Sequence, residues 1–326
     1  MQIASNFVQN TNKSFLPFLF VFLILALADA VLSYTAPVFL SSKIDNTSLV
    51  GIVLASSSIV GFTFDIFAGA YLKTKTYKFF LVSTALIAIL YPLSLLFSAN
   101  LFFMYLLAMA FWGIYFELRA FSVFNYIKYS IPKKSYDYAW GFFEVAFAVA
   151  YLSGPIIASY LLQQNLNNPL KFSLIMFAIG LILSLVLFKN KKKIHQRFIE
   201  QFDRNSLKTE FRVWRILSGK IWIVWLMWFF IWCIDASIWT AGVLLSEKLK
   251  LVHFQAEFLI PIYIMPKLFL GILLTKLNGK FEKKRLAFVS CILSGSIFVI
   301  MGYLNNINLI LLSIFMASLL LTTAII

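Results

Sequence analysis

Long apolar segments dominate the sequence and limit what this chain can fold into. A helix that spans a membrane needs about 20 apolar residues. Ten such segments follow one another, at about 15–40, 47–72, 78–97, 101–128, 138–163, 169–188, 218–245, 252–275, 285–304 and 307–326. The pattern predicts an all-α membrane protein with six spanning helices before a long basic segment and four after it.

The composition supports this class of protein. Hydrophobic residues make up 61% of the 326 residues and charged residues only 13%, whereas a soluble domain is about half apolar and about a quarter charged. The two cysteines, Cys233 and Cys291, both lie in apolar segments. The sequence therefore offers neither a disulfide framework nor a metal-binding spacing, and we expect no metal and no cofactor.

The net charge of +15 is distributed unevenly across the predicted membrane. Twenty-three of the 28 Lys and Arg residues fall in segments on one side, four fall on the other, and Lys267 lies inside a helix. This bias predicts a cytoplasmic N-terminus. We expect a multi-pass protein of the plasma (inner) membrane. The basic segments thus indicate topology, and we expect no nucleic-acid partner. Nothing in the sequence requires an oligomer, so we expect a monomer.

A short motif joins the second and third predicted helices. Two glycines and an aspartate recur at steps of four, at Gly61, Asp65 and Gly69, and lysines follow from Lys73 onward. Glycines at this spacing allow two membrane helices to approach closely. A charge at the membrane edge can be hydrated or paired. The motif therefore predicts a tight cytoplasmic turn between two helices.

The same pattern returns 210 residues later, which indicates an internal duplication. Gly271, Thr275 and Gly279 repeat the steps of four, and a basic run follows them. Upstream of each copy an Asp-Ala pair precedes a Thr-Ala pair, beginning at Asp29 and at Asp235. Two motifs in the same order at nearly one offset are typical of transporters built from parallel repeats.

These motifs resemble the Major Facilitator Superfamily of transporters. The Gly61 motif is similar to that family's signature loop between helices 2 and 3, and the Gly271 copy is similar to its weaker counterpart between helices 8 and 9. Gly154-Pro155 in the fifth predicted helix resembles the glycine-proline motif of the antiporters, although alanines stand at positions 150 and 158 where glycines are usual. Asp29 resembles the first-helix pattern of drug/proton antiporters.

The resemblance implies two six-helix bundles that rock about a central cavity with a substrate site near mid-membrane. It implies alternating access, usually coupled to protons or another ion, and it gives Asp65 a gating contact between the bundles. We therefore expect an N-terminal six-helix bundle over 1–188, a basic cytoplasmic linker over 189–217 and a C-terminal bundle over 218–326. Only four helices are visible in the last bundle, so we expect it to be incomplete.

Four ionisable residues lie well inside the predicted spans: Asp29, Glu144, Asp235 and Lys267. Charged groups in a membrane are costly and are functional candidates by default. Asp29 and Asp235 hold equivalent places in the first helix of each half, so either could carry a proton or pair with a cationic substrate. The structural alternative is a carboxylate held by a hydroxyl or a lysine of a neighbouring helix.

Two pairings are also expected. Lys267 lies on the helix after Asp235 and is a plausible partner for it, and a paired Asp235 would carry protons poorly. Glu144 lies at a depth similar to that of Arg119, so a Glu144–Arg119 ion pair is favoured over a functional role for Glu144.

The seventh predicted helix is rich in tryptophan. Trp225, Trp228 and Trp232 fall on one face at steps of three and four. They could form an aromatic cavity wall for an apolar or cationic substrate. They could equally pack against lipid, since tryptophan is common at membrane interfaces.

The function that these features favour is secondary active transport of a small solute, proton-coupled, with a drug or metabolite exporter as one form. The sequence contains no G-x-S-x-G nucleophile elbow and no phosphate-binding glycine loop, so we expect no enzyme. Two alternatives remain open: a membrane scaffold or sensor without transport, and a membrane-embedded enzyme.

Overall fold

The computed structural model describes residues 14–72, 75–99, 101–188, 207–250, 254–277, 283–304 and 306–325. In this part of the chain every regular element is helical. The candidate residues Lys73 and Gly279, and residues 189–206 of the predicted linker, lie outside the described residues.

Six helices form what we call the first half. Their bounds are α1 Phe15–Ser41, α2 Thr47–Tyr71, α3 Tyr77–Leu96, α4 Phe102–Ser130, α5 Tyr136–Gln164 and α6 Asn168–Leu187. Two of them begin at a side-chain cap: the Asn46 side chain accepts hydrogen bonds from two backbone N–H groups of α2, and Thr76 accepts one from Phe79. These bounds lie within two residues of those predicted from the sequence.

The second half, α7 to α11, is less regular. Its helices are α7 Leu207–Ser237, α8 Val243–Leu249, α9 Leu259–Leu277, α10 Lys283–Met301 and α11 Ile307–Ile325. A π-helix, Ile238–Gly242, joins α7 directly to α8, and a 3-10 helix, Phe254–Phe258, precedes α9. Helix α7 is kinked at Ile221, where the backbone leaves helical geometry. It begins eleven residues before the predicted start at 218, so the described end of the predicted linker is helical.

The predicted spans 252–275 and 285–304 are not among the candidate membrane spans of the described residues, whereas the other eight predicted spans are. Over the described residues, eight helices are long and apolar enough to cross a membrane, and Arg285–Met301 is a shorter apolar helix. In α1, 67% of the most apolar stretch is buried inside the protein, against 11% of the most apolar stretch within Trp214–Leu249. Helix α1 therefore lies at the centre of the first half, while α7 lies at the periphery of the described structure.

Two ends of the bundle are distinguished below. We call the end at which α2, α4 and α6 finish the basic end, because the lysine-rich segments of the sequence follow there. We call the end at which α1, α3 and α5 finish the far end. Helix α5 packs along α9, and α8 packs against α1. These contacts join the two halves.

Glycines set the closest helix approaches in the first half. A Cβ atom added at Gly154 of α5 would lie 2.5 Å from the Cβ of Ala30 and 2.9 Å from its carbonyl carbon in α1. Pro155 follows it inside α5. A residue without a side chain is therefore required where α5 crosses α1, one position from Asp29.

Candidate functional site

A buried ion pair lies at the centre of the first half. Asp29 lies near the middle of α1 and Arg119 lies near the middle of α4. The Arg119 guanidinium donates to Asp29 Oδ2 at 2.6 Å, and the two side chains are only 8% and 1% exposed. A buried charge of this kind requires a partner with good geometry, because both ions have lost their hydration.

Two further side chains complete the shell around Asp29. The Tyr151 hydroxyl of α5 donates to Asp29 Oδ2 at 2.5 Å, and the Trp112 indole N–H of α4 donates to Oδ1 at 2.9 Å. Both carboxylate oxygens are thus hydrogen-bonded, as buried polar groups generally are. The sequence did not identify Tyr151 or Trp112 as site residues. The only available signal was their place in the middle of helices that could face Asp29.

Aromatic rings surround the arginine of this pair. The Arg119 guanidinium carbon lies 4.9 Å from the Phe116 ring centroid, 5.3 Å from that of Tyr115 and 5.4 Å from that of Phe147. Contacts of a guanidinium with ring faces are attractive, and more so where water is excluded. The first half therefore contains a fixed charge pair that α1, α4 and α5 hold together.

A second ion pair lies in the second half. Lys267 Nζ of α9 is 3.6 Å from Asp235 Oδ1 of α7, and the Tyr263 hydroxyl donates to the same oxygen at 2.8 Å. This confirms the pairing predicted from their positions on successive helices. Both side chains are about one-fifth exposed, so this pair is longer and less buried than the pair in the first half.

Replacing Asp235 with asparagine is accordingly expected to change the free energy of unfolding by about 1 kcal/mol or less, since partly exposed ion pairs contribute little. An amide can still accept the Tyr263 hydrogen bond. Thermal unfolding of the purified variant in detergent measures this. A loss comparable to that of a fully buried pair would contradict the geometry of this site.

Glu144 lies between the two pairs. Its carboxylate is on the exposed side of α5, one turn before Phe147. Lys267 of the second half and Arg119 of the first half both act on its charge. In the described part of the chain it makes no hydrogen bond or ion pair. The expected Glu144–Arg119 ion pair was wrong, because Asp29 occupies the guanidinium.

The first copy of the glycine motif behaves partly as predicted. A Cβ atom at Gly61 would lie 3.3 Å from the backbone oxygen of Gly113, so α2 and α4 approach closely there. Asp65 is half-buried, and its charge acts on Glu117 of α4. A gating contact of Asp65 between the halves stays a prediction.

The remaining motif residues lie apart from the ion pairs. Gly69 lines a cleft of about 510 Å³ at the basic end, together with Lys128 and Trp140. Gly271, the first glycine of the second motif copy, lies within α9. The last glycine of that copy, Gly279, lies outside the described residues.

The tryptophans of α7 make different ring contacts. Trp232 packs edge-on against Phe116 of the first half, with ring centroids 6.3 Å apart, and Trp228 lies beside Trp232. Trp225 instead contacts Trp214 of its own helix at 5.6 Å. All three are at least 38% exposed. Their role as a cavity wall stays a prediction, and Trp232 makes a ring contact with the first half.

One more aromatic contact crosses between the halves. Trp239, in the π-helix, packs edge-on against Tyr151 with centroids 5.1 Å apart. Tyr151 holds Asp29, so a single side chain separates the buried ion pair from the second half. The π-helix widens the turn at this point, and such turns are frequent at functional sites.

Charged side chains held between the helices of a multi-pass bundle are typical of membrane transport proteins. The chain belongs to the Major Facilitator Superfamily, which its sequence matches over residues 18–326. The protein is thus a multi-pass integral membrane protein of a family of secondary transporters.

Comparison with solved structures agrees with this assignment. The fold is similar to the crystal structure of a mutant of the peptide transporter POT in complex with sulfate, with a TM-score of 0.65 and 12% sequence identity. The alignment covers 95% of this chain and 80% of that chain. At this identity the likeness concerns the fold alone. No curated protein matches the sequence.

Proposed function

We propose that the protein moves a small solute across the membrane by alternating access, that protons are the coupling ion, and that Glu144 is the residue that takes up and releases the proton. The basic end is the cytoplasmic end in this proposal, with the N-terminus inside the cell, residues 189–217 as a cytoplasmic linker and the plasma (inner) membrane as the location. The working unit is a monomer.

The observation that carries the proposal is the contrast between three carboxylates. Asp29 is held by Arg119, Tyr151 and Trp112, and Asp235 is held by Lys267 and Tyr263. Glu144 is exposed and has no such partner among the described residues. A carboxylate without a fixed partner, reachable from the space between the halves, is best suited to exchange a proton with water.

The paired residues then take supporting roles. Asp29 and Arg119 fix the geometry of α1, α4 and α5, and Asp235 with Lys267 forms a pair weak enough to open when a charged solute enters. The resemblance of Gly154-Pro155 to the antiporter motif favours export, of a drug or metabolite, over import.

Solute flux under an imposed pH gradient tests this function. A thermal-shift screen of solute libraries first identifies compounds that stabilise the purified protein, since a ligand stabilises the state that binds it. Uptake of such a compound into proteoliposomes is then measured with and without the gradient. We expect the gradient to drive accumulation in the wild-type protein, and Glu144→Gln to abolish that accumulation.

The matched control is a carboxylate that has a lysine partner. Asp235→Asn is expected to change the apparent affinity for a charged solute while gradient-driven accumulation remains. Accumulation that survives Glu144→Gln would remove Glu144 from the coupling mechanism. If solute flux through the wild-type protein were the same with and without the pH gradient, proton coupling would be excluded.

A further inference from the structure

The two halves are joined at the far end by a cluster of four polar side chains that the proposed function does not use. The Tyr34 hydroxyl of α1 donates to Glu247 Oε1 of α8 at 2.6 Å. The Lys250 ammonium, just after α8, donates to the Ser159 hydroxyl of α5 at 2.9 Å. Lys250 also pairs with Glu247 at 2.8 Å.

The Tyr34–Glu247 and Lys250–Ser159 hydrogen bonds cross between the halves, and the Glu247–Lys250 ion pair holds their second-half partners together. Tyr34 and Ser159 belong to the first half, and both are completely buried. Glu247 and Lys250 belong to the second half and are about 20% and 15% exposed. The Glu247–Lys250 pair therefore presents an acceptor to Tyr34 and a donor to Ser159. Hydrogen bonds to charged groups are about twice as strong as those between neutral groups.

The side chains of the second half are buried to different degrees along its length. Side chains near the far end are fully buried, among them Val243, Ser246, Ala256 and Ile260. Side chains of α7 toward the basic end are exposed, as at Trp222 and Phe229. The second half is thus most buried at the end where the four polar side chains lie, and there α8 also packs against α1.

We propose that Tyr34, Ser159, Glu247 and Lys250 form a lock that holds the far end closed, and that this lock must break for the far end to open. Breaking it leaves the Tyr34 and Ser159 hydroxyls and the Glu247–Lys250 pair in an opened crevice, where water replaces the lost partners. The lock stabilises one conformation only. Its removal therefore shifts the ratio of open to closed far ends without removing the packing within either half.

Distances between spin labels across the far end test the lock. Gln163 of α5 and Gln255 before α9 are exposed, lie in different halves and take no part in the lock. Labels are attached to Gln163→Cys and Gln255→Cys in a background with Cys233→Ser and Cys291→Ser. Double electron–electron resonance then gives the distance distribution for the protein in lipid nanodiscs.

Two conservative changes remove one link each. Tyr34→Phe keeps the ring and removes the hydroxyl, and Ser159→Ala removes the acceptor of Lys250. We expect the background protein to show mainly the short distance. Each variant is expected to raise the ratio of long to short distances at least about tenfold, the effect of one hydrogen bond to a charged group.

Matched controls come from the same helix. Ser153→Ala removes a hydroxyl whose hydrogen bonds, among the described residues, go to the backbone of α5, and Tyr160→Phe changes a tyrosine that is 62% exposed. Both should leave the distance distribution unchanged. If Tyr34→Phe and Ser159→Ala also left the distance distribution unchanged, the lock would be overturned. A shift of equal size in the control variants would overturn it as well.

The measurement needs neither solute nor pH gradient, so it is independent of proton coupling. If one lock variant does not fold, the other decides, because the two substitutions lie on different helices and remove different bonds. A protein in which Glu144→Gln abolishes coupling but the lock variants do not move the labels would keep the proposed function and lose the lock.

Discussion

Replacing Asp29 with asparagine is expected to destabilise the protein by about 3–5 kcal/mol, because it leaves the Arg119 guanidinium buried without a counter-ion. The side chains of the pair are 1% and 8% exposed, so water cannot take over the role of the carboxylate. An asparagine can accept from Tyr151 or Trp112, but it carries no charge. Thermal unfolding in detergent should show this as a large fall in melting temperature, and transport should be lost with it.

Two variants separate charge from shape in this prediction. The double variant Asp29→Asn with Arg119→Gln removes both charges and should recover part of the lost stability, because no unpaired ion remains. Asp235→Asn removes the equivalent carboxylate of the second half and should cost much less. Equal losses for Asp29→Asn and Asp235→Asn would contradict the assignment of Asp29 to a dry, closed site.

Replacing Gly113 with alanine is the second change with a large expected effect. A Cβ atom at Gly113 of α4 would overlap the backbone oxygen of Ser57 in α2 and lie 3.0 Å from the backbone nitrogen of Gly61. Backbone atoms of two packed helices cannot move aside as a side chain can, so α2 and α4 must separate. We expect a loss of about 3 kcal/mol, near the upper end of the cost of overpacking.

The control for Gly113 is a glycine with open space. A Cβ atom at Gly51 of α2, or at Gly295 of α10, would meet nothing within 4 Å. Alanine at these positions should be neutral or stabilising by up to about 1 kcal/mol, since alanine favours the helix over glycine. If Gly113→Ala and Gly51→Ala had equal melting temperatures, α2 and α4 would be farther apart than described.

The helices themselves were largely predictable from the sequence, because a membrane requires long apolar segments and polar residues end them. The exception is α7. Its first turns, from Leu207, are polar enough to resemble a linker, and the kink at Ile221 separates them from the apolar remainder. Hydropathy detects the membrane-buried part of a helix and not its solvated extension, so the predicted start at 218 was late.

The ion pairs were predictable only between helices that follow one another in the sequence and are therefore adjacent in the structure. Asp235 and Lys267 lie on successive spans, and their pairing was predicted. Arg119 was matched by depth with Glu144, and depth alone does not say which face of a helix meets which neighbour. The packing of α1 against α5 through Gly154 brings Tyr151 to Asp29, and no spacing in the sequence contains that information.

Proton movement driven by a solute gradient tests the central claim most directly. Proteoliposomes containing a pH-sensitive dye are given the solute found in the screen on one side only, with no imposed pH gradient. We predict that the internal pH changes at a rate that follows solute flux in the wild-type protein, and that Glu144→Gln moves solute without moving protons. Solute flux without any pH change in the wild-type protein, or an unchanged proton flux in Glu144→Gln, would contradict it.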